Sequence, residues 1–174
     1  TAQTPSRFQW FTGVQVGGFL HVQGQQVRPI QNQTIMSRPW VLISGASSGF
    51  GEATARLLAD QGWNLLLTSR REERLSSLAE ACQALGAEVH VGAWDVRDRA
   101  ATNEGVARLM EHAGISASSH GEPLRALVNN AGLAVGKGPF DEGLDEDWDR
   151  MLDTNVKGLL FLARACVSFM REGS

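Results

Sequence analysis

Residues 39–174 are predicted to fold as a doubly wound parallel β-sheet with helices on both faces. Short apolar runs, typical of strands buried on both faces, alternate with segments in which apolar residues recur at helical spacing. The connections between these segments are short. A glycine-rich turn joins the first apolar run to the first helical segment, and in sheets of this class such a turn is a common place for ligand binding.

Four apolar runs are predicted as strands, at residues 40–44, 63–68, 87–92 and 124–128. Helices follow the first three. Phe50, Leu57 and Leu58 lie at helical spacing on the first of these, which is closed by Gly62, and the second is closed by Gly86. The third helix is predicted over 98–112. A final helix is predicted over 147–171, after a glycine- and acid-rich loop.

Residues 1–38 have a different composition. They hold three arginines, no acidic residue and many glutamines, whereas residues 39–174 hold thirteen basic and nineteen acidic residues. No unbroken apolar run follows a basic start, as a secretory signal requires, and Arg and Ser are too few for a mitochondrial transit peptide. We expect Met36 to be the natural start and residues 1–38 to be unstructured or extraneous. An interaction arm is the alternative.

The composition of the whole chain narrows its function class. A net charge of −3 over 174 residues argues against a basic nucleic-acid binder, and no apolar run reaches the 18 residues of a membrane span. The two cysteines, Cys82 and Cys166, lie on predicted apolar helix faces and are too few for a disulfide framework, which favours a cytoplasmic location. The four histidines lack ligand spacing, so no metal site is predicted.

The glycine turn has the spacing Gly-x-x-x-Gly-x-Gly, over Gly45, Gly49 and Gly51. A strand that enters a helix through such a turn presents unpaired backbone N–H groups to an anion. We expect the first glycine to allow the tight turn, the second to let a pyrophosphate approach the backbone, and the third to allow close helix packing. No Lys-Ser or Lys-Thr follows, which excludes a P-loop. A plain loop remains the alternative.

The end of the second strand bears on the choice of cofactor. NAD-binding proteins usually place Asp or Glu there, where a carboxylate binds the ribose 2′-hydroxyl. This chain has Ser69, Arg70 and Arg71. A small Ser69 leaves room for a 2′-phosphate, and Arg70 offers a charge-assisted fork to it. The pattern favours NADP. The alternative is a pair of solvated arginines that open a helix beside Glu72 and Glu73.

Four motifs, in order along residues 39–174, resemble those of the short-chain dehydrogenase/reductase family. They are Ser44-Gly45-Ala46-Ser47-Ser48-Gly49-Phe50-Gly51, Asp95-Val96, Asn129-Asn130-Ala131-Gly132 and Asn155 within Asp153-Thr154-Asn155-Val156-Lys157-Gly158. Within the family, the sequence is most similar to NADP-dependent 3-hydroxy acid (serine 3-) dehydrogenases. Residues 1–38 lie outside the resemblance.

The resemblance implies a Rossmann-type sheet and a hydride transfer between NADP(H) and a small hydroxy or carbonyl substrate. It implies Asp95 beside the adenine ring and a catalytic role for Asn155, at a bend of the helix where the backbone carbonyl holds a water in a proton relay. The resemblance and the strand-end arginines together give the predicted cofactor-binding residues: Gly45, Ser47, Ser48, Gly49, Phe50, Gly51, Arg70, Arg71, Asp95, Val96, Asn129, Ala131 and Gly132. The structural alternatives are a helix N-cap for Asp95 and simple turn formation for Asn129 and Asn130.

The chain contains no tyrosine. In this family a catalytic Ser and a Tyr-x-x-x-Lys pair follow the helix that carries the asparagine, and the tyrosine transfers the hydroxyl proton. Neither Lys137, in a loop, nor Lys157, in the asparagine motif, can replace that pair. We expect the chain to be an inactive piece of a longer reductase. A non-catalytic NADP-binding module or sensor is the alternative.

The family also often pairs through the helix that carries the asparagine. The resemblance therefore implies a homo-oligomer for the full-length protein, with Phe161, Phe169 and Met170 as candidates for the contact face.

Overall fold

The computed structural model describes residues 21–22, 25–26, 38–118, 123–136 and 138–174. The chain divides into two compact units, Thr1–Met36 and Ser37–Ser174. In the first unit, the described residues form two short strands, β1 (His21–Val22) and β2 (Gln25–Gln26), which pair antiparallel. The predictions made for residues 1–38 fall almost entirely outside the described part and stay predictions.

The described residues of the second unit form a four-stranded parallel sheet. Its strands are β3 (Trp40–Ser44), β4 (Asn64–Ser69), β5 (Val89–Ala93) and β6 (Leu124–Val128). They lie in the order β5-β4-β3-β6, and every neighbouring pair is parallel. The order reverses between β3 and β6, and ligands of such sheets bind at that reversal, outside the carboxyl ends of the strands. The predicted doubly wound sheet is confirmed.

Helices cover both faces of this sheet. They are α1 (Gly49–Asp60), α2 (Glu72–Gln83), α3 (Arg99–His112), α4 (Asp145–Leu152) and α5 (Leu159–Cys166). Short 3₁₀ turns occur at Phe140–Glu142 and Val167–Phe169. Across the described ranges, no helix has the length and apolar character needed to cross a membrane.

The last helix does not run unbroken over residues 147–171; it is interrupted at Asn155, where the family resemblance implies a bend. One turn of π-helix, Asp153–Gly158, joins α4 to α5. Asn155 lies within this turn, where the backbone departs from the regular α-helical hydrogen-bond ladder. The neighbouring Thr154 donates its hydroxyl to the carbonyl of Arg150 at 2.8 Å. Asparagine is a poor residue for a helix interior, and it falls where the helix is interrupted.

The two faces of the sheet bury separate clusters of apolar side chains. Val41 and Ile43 point to the face that α1 and α2 cover, whereas Trp40 and Leu42 point to the face that α3 and α5 cover. This alternation follows from the two-residue period of a strand. Because both faces are covered, β3 is buried along its whole length, as its continuous apolar run predicts.

Helix α1 forms where it is predicted, but of its large apolar residues Phe50, Leu57 and Leu58 only Leu58 packs against the core. Phe50 is 88% exposed and Leu57 is 56% exposed. The buried positions are the small residues Gly51, Ala55 and Ala59. Helical spacing therefore located the helix but, apart from Leu58, not the residues that pack against the sheet.

Both cysteines belong to the core, as predicted. Cys82 and Cys166 are free thiols with no exposed surface. Burial raises the pKa of the Cys82 thiol and raises the pKa of the Cys166 thiol to about 12. Because the thiolate is the reactive form, these side chains act as small apolar residues.

Trp94 directly follows β5 and fills the space between that strand and α3. Its side chain is buried, and its six-membered ring contacts both Gly92 and Gly105. A Cβ atom at Gly105 would lie 2.5 Å from the Cε3 atom of this ring. The indole can pack here because both neighbouring positions lack a side chain.

The change Gly105→Ala is expected to lower the free energy of unfolding by about 1–3 kcal/mol, because the added methyl group overpacks a buried ring. In an unhindered helix the same change is stabilising by about 1 kcal/mol. Urea unfolding of the chain measures the difference. Gly138→Ala is the control, since among the described residues no atom lies within 4 Å of a Cβ placed there. Equal stabilities of Gly105→Ala and the unmodified chain would contradict this packing.

Candidate functional site

A cleft opens at the carboxyl ends of the four parallel strands, beside the reversal in strand order. It lies between the turn after β3 and the segments that follow β4, β5 and β6. Its lining residues are Gly45, Ser47, Ser48, Ser69, Arg70, Arg71, Trp94, Asp95, Val96, Asn130, Ala131, Gly132, Leu133 and Thr154.

The three glycines of the turn after β3 serve three different purposes. Gly45 and Gly49 have φ angles of 65° and 59°, a region that other residues adopt only with strain. Among the described residues, no atom lies within 4 Å of a Cβ placed at Gly49, so a ligand can approach the backbone there. Gly51 is tightly packed, since its Cβ would lie 2.5 Å from the Nδ2 atom of Asn130.

Ser44 and Asn130 join the end of β3 to the end of β6. The Ser44 hydroxyl accepts hydrogen bonds from the backbone N–H groups of Asn130 and Ala131, at 3.1 and 3.0 Å. In return, the Asn130 side chain donates to the carbonyl oxygens of Ser44 and Gly45, at 3.0 and 3.2 Å. Ser44 is 1% exposed, so these bonds are made away from solvent. They fix the glycine turn relative to the Asn-Asn-Ala-Gly segment.

Arg71 crosses from the start of α2 to the glycine turn. Its guanidinium donates to the hydroxyl of Ser47 at 2.9 and 3.1 Å and to that of Ser48 at 2.7 Å. Its backbone N–H donates to the Ser69 hydroxyl at 3.1 Å. Because these three hydroxyls accept from Arg71, their own O–H groups are left to donate to another acceptor. A cation with three hydroxyls is suited to an anion such as phosphate.

Asp95, which follows β5, brings negative charge to the same cleft. Its carboxylate accepts from the Arg97 side chain at 2.7–3.1 Å and from the Arg97 backbone N–H at 3.0 Å. The hydrogen bonds from the Arg97 side chain lower the pKa of Asp95 below its ordinary value. Asp98, not Asp95, is the N-cap of α3, where its carboxylate accepts from the N–H of Ala101. The N-cap interpretation of Asp95 is therefore wrong.

The Asn155 side chain forms a reciprocal pair with the backbone of Leu133. Its Oδ1 accepts from the Leu133 N–H and its Nδ2 donates to the Leu133 carbonyl, both at 2.8 Å. Close by, Val96 packs on Gly158, where an added Cβ would lie 2.8 Å from Val96 Cγ2. The π-helical turn thereby supports two parts of the cleft wall.

Comparisons with known proteins agree with this geometry. The family model described as short chain dehydrogenase matches residues 39–174. The chain belongs to the short-chain dehydrogenase family. The family predicted from the motifs is therefore confirmed.

Three relatives of this short-chain dehydrogenase show the extent of the match. Sulfoacetaldehyde reductase 2 of Chromohalobacter salexigens is 43% identical, over 76% of this chain and 49% of that protein. NADP-dependent 3-hydroxy acid dehydrogenase YdfG of Escherichia coli K12 is 41% identical, with the same coverage. The crystal structure of serine dehydrogenase from Escherichia coli matches with a TM-score of 0.60 and 40% identity, over 74% of this chain and 54% of that one. The chain spans about half the length of the curated relatives it matches.

The cleft of this short-chain dehydrogenase brings together most of the residues predicted to bind the cofactor. Those that line it are Gly45, Ser47, Ser48, Arg70, Arg71, Asp95, Val96, Ala131 and Gly132. Gly49, Phe50, Gly51, Asn129 and Asn155 are not among the lining residues. The binding and catalytic roles assigned to all these residues stay predictions.

Five residues that line the cleft are not among the predicted site residues: Ser69, Trp94, Asn130, Leu133 and Thr154. Ser69 and Asn130 stood inside patterns already noted, beside residues that were chosen. Trp94 directly precedes the Asp95-Val96 motif and Thr154 lies within the motif around Asn155, so their positions at these motifs were the available signal. Within the described part of the chain, no group of three or more His, Cys, Asp or Glu side chains is placed to hold a metal ion.

Ser44→Ala is expected to destabilise the chain by about 1–3 kcal/mol, because the partly buried N–H of Ala131 loses its acceptor and that of Asn130 keeps only its bond to the Val128 carbonyl. Ser47→Ala is the matched control, since the Ser47 hydroxyl bonds to the Arg71 side chain and its loss leaves both N–H groups paired. Urea unfolding gives the free energies, and amide hydrogen exchange reports Asn130 and Ala131 directly. Unchanged exchange at both amides in Ser44→Ala would refute the role of this hydroxyl.

Proposed function

We propose that the whole protein is an oxidoreductase that moves a hydride between NADP(H) and a small hydroxy or carbonyl compound. The observation that carries this proposal is the cleft at the reversal in strand order, where the glycine turn meets Arg71 and three serine hydroxyls. Family membership supports the class of reaction. The nicotinamide supplies the hydride acceptor or donor when the cofactor is bound.

The charge at the end of β4 supports NADP over NAD. NAD-binding proteins usually have a carboxylate at this strand end, which would repel a 2′-phosphate, whereas this chain has Ser69 and Arg71. The Arg71 guanidinium is hydrogen-bonded to Ser47 and Ser48. Arg70 lies beside them with a side chain that is 67% exposed, so it can turn toward an anion. The relative from Escherichia coli is named an NADP-dependent enzyme, which is consistent with this choice.

The remaining predicted residues fit positions along such a cofactor. We assign Gly45, Gly49 and Gly51 to the pyrophosphate turn and Asp95 with Val96 to the adenine end. Phe50 is exposed beside the turn and can cover the bound cofactor. Asn129, Ala131 and Gly132 follow β6 and form the far side of the cleft, toward the nicotinamide.

Asn155 is proposed to act through the backbone. Its side-chain amide is already paired with Leu133, so it holds the segment after Gly132 in place. The catalytic role implied by the family resemblance therefore falls to the Asn155 carbonyl, which would hold a water in the proton relay. We propose a 3-hydroxy acid or its keto form as substrate, since the Escherichia coli relative is named for such compounds.

Self-association of the whole protein is proposed through the helices that flank Asn155. Exposed apolar side chains occur along α4, the π-helical turn and α5, at Leu152, Val156, Leu159 and Leu160. Of the three residues predicted for this face, Phe161 is half-buried on α5, and Phe169 and Met170 pack against the core as partly buried side chains. A cytoplasmic location stays a prediction from the cysteine count.

The cofactor assignment predicts that the chain binds NADPH more tightly than NADH. Arg71→Gln should weaken NADPH binding by about 10- to 100-fold, since a hydrogen bond to a charged group contributes roughly 1.5–3 kcal/mol, and should affect NADH much less. Calorimetric titration measures both. Arg74→Gln is the matched control because Arg74 lies further along α2, outside the cleft lining. Equal affinities for the two cofactors in the unmodified chain would refute the assignment.

Residues 1–174 alone are expected to show no reductase activity. Reduction of a carbonyl develops negative charge on its oxygen, and a positioned proton donor typically accelerates such a step by about 10²–10⁴-fold. The chain has no tyrosine to fill that role. NADPH oxidation by the purified chain, tested with 3-keto acids and small aldehydes, measures the activity. Turnover above a blank without enzyme would point to another acid in the described cleft.

Extending the reading frame distinguishes the two candidate functions. A following Ser and Tyr-x-x-x-Lys, with turnover restored in the longer protein, would support the oxidoreductase. A longer protein that binds NADPH but reduces no carbonyl compound would support the non-catalytic module.

A further inference from the structure

The carboxylate of Asp95 lies in the part of the cleft that is lined by Arg70 and Arg71. The Oδ2 atom of Asp95 lies 3.9 Å from the Nη1 atom of Arg70, and both residues line the cleft with Arg71. An unpaired carboxylate here would oppose the 2′-phosphate in two ways. It would repel the phosphate directly, and it would draw the Arg70 guanidinium toward itself.

Arg97, which is outside the cleft lining, neutralises most of the negative charge of the Asp95 carboxylate. Its side chain reaches Asp95 Oδ2 at 2.7 Å through Nη2, and its Nε lies 3.1 Å from both carboxylate oxygens. The Arg97 backbone N–H adds a bond of 3.0 Å to Oδ1. Arg70, at 3.9 Å, is outside hydrogen-bond distance. Asp95 is thus paired mainly with Arg97, and Arg70 remains able to turn to another anion.

A second acidic residue near Arg97 does not compete strongly for it. Asp153, in the π-helical turn, lies close enough to act electrostatically on Arg97. Its carboxylate is itself paired with Lys157, whose Nζ lies 2.7 Å from Asp153 Oδ1. The Arg97 fork is therefore directed at Asp95.

We infer that Arg97 is a specificity-determining residue for NADP over NAD, acting through Asp95 by neutralising its charge beside the 2′-phosphate. This inference rests on the proposed cofactor. Arg97 acts as a positioning residue, since it is not among the residues that line the cleft. Because NADH has no 2′-phosphate, neutralising the Asp95 charge changes its binding little. The ratio of NADPH to NADH affinity therefore measures the effect of Arg97 on the 2′-phosphate.

Arg97→Gln is expected to reduce the ratio of NADPH to NADH affinity by about three- to fivefold, the range of a partly exposed charge contact. Calorimetric titration of the 174-residue chain with each cofactor gives the ratio. Arg97→Lys retains the positive charge and should retain most of the preference. In an Asp95→Asn background there is no charge to neutralise, so Arg97→Gln should leave the ratio unchanged there.

Three results would overturn the inference: an unchanged ratio in Arg97→Gln, an equal loss of affinity for both cofactors, or a fall in ratio that persists in the Asp95→Asn background. The second would show a merely structural role. The affinities of the unmodified chain test the proposed cofactor separately. If that chain prefers NADH or binds neither cofactor, the proposed cofactor fails and this inference fails with it.

Discussion

The hydrogen bonds between Ser44 and Asn130 are the interaction on which the cleft depends. Strands β3 and β6 lie side by side, but the chain diverges after them into a helix on one side and an extended segment on the other. The buried Ser44 hydroxyl and the Asn130 amide close that junction with four bonds to backbone groups. Because Gly51 packs against the same amide, the start of α1 is positioned by the same contact. The anion-binding turn is thus anchored to the sheet.

Charged residues that follow two other strands, β4 and β5, lie around this glycine turn. Arg71, after β4, donates to Ser47 and Ser48, which makes the glycine turn and the start of α2 one cationic surface. Asp95, after β5, would counteract that charge, and its pairing with Arg97 lowers its pKa and neutralises it locally. Parallel strands bring these ends to one edge, so residues about 24 positions apart meet in a single cleft.

The sequence was sufficient for those features that depend on local pattern. Continuous apolar runs located the buried strands because a doubly covered sheet leaves no polar face, and the Gly45–Gly51 spacing located the turn because its backbone angles require glycine. Contacts between segments that are far apart in the sequence could not be predicted. Neither the Arg71 bonds to the serines nor the pairing of Asn155 with Leu133 has a local signature. The exposed Phe50 shows the same limit, since tertiary packing decides which face a helix buries.

The most direct test of the cleft as the cofactor site is a two-dimensional ¹⁵N NMR titration of the chain with NADPH. Amide signals should shift in the glycine turn at Gly45–Gly51, at Arg70 and Arg71, and at Asp95 and Val96. His90 and His112, whose rings lie 6.0 Å apart outside the cleft lining, should keep their signals unchanged. Shifts confined to His90 and His112, or saturating NADPH that leaves the glycine turn unaffected, would contradict a cofactor site at this edge of the sheet.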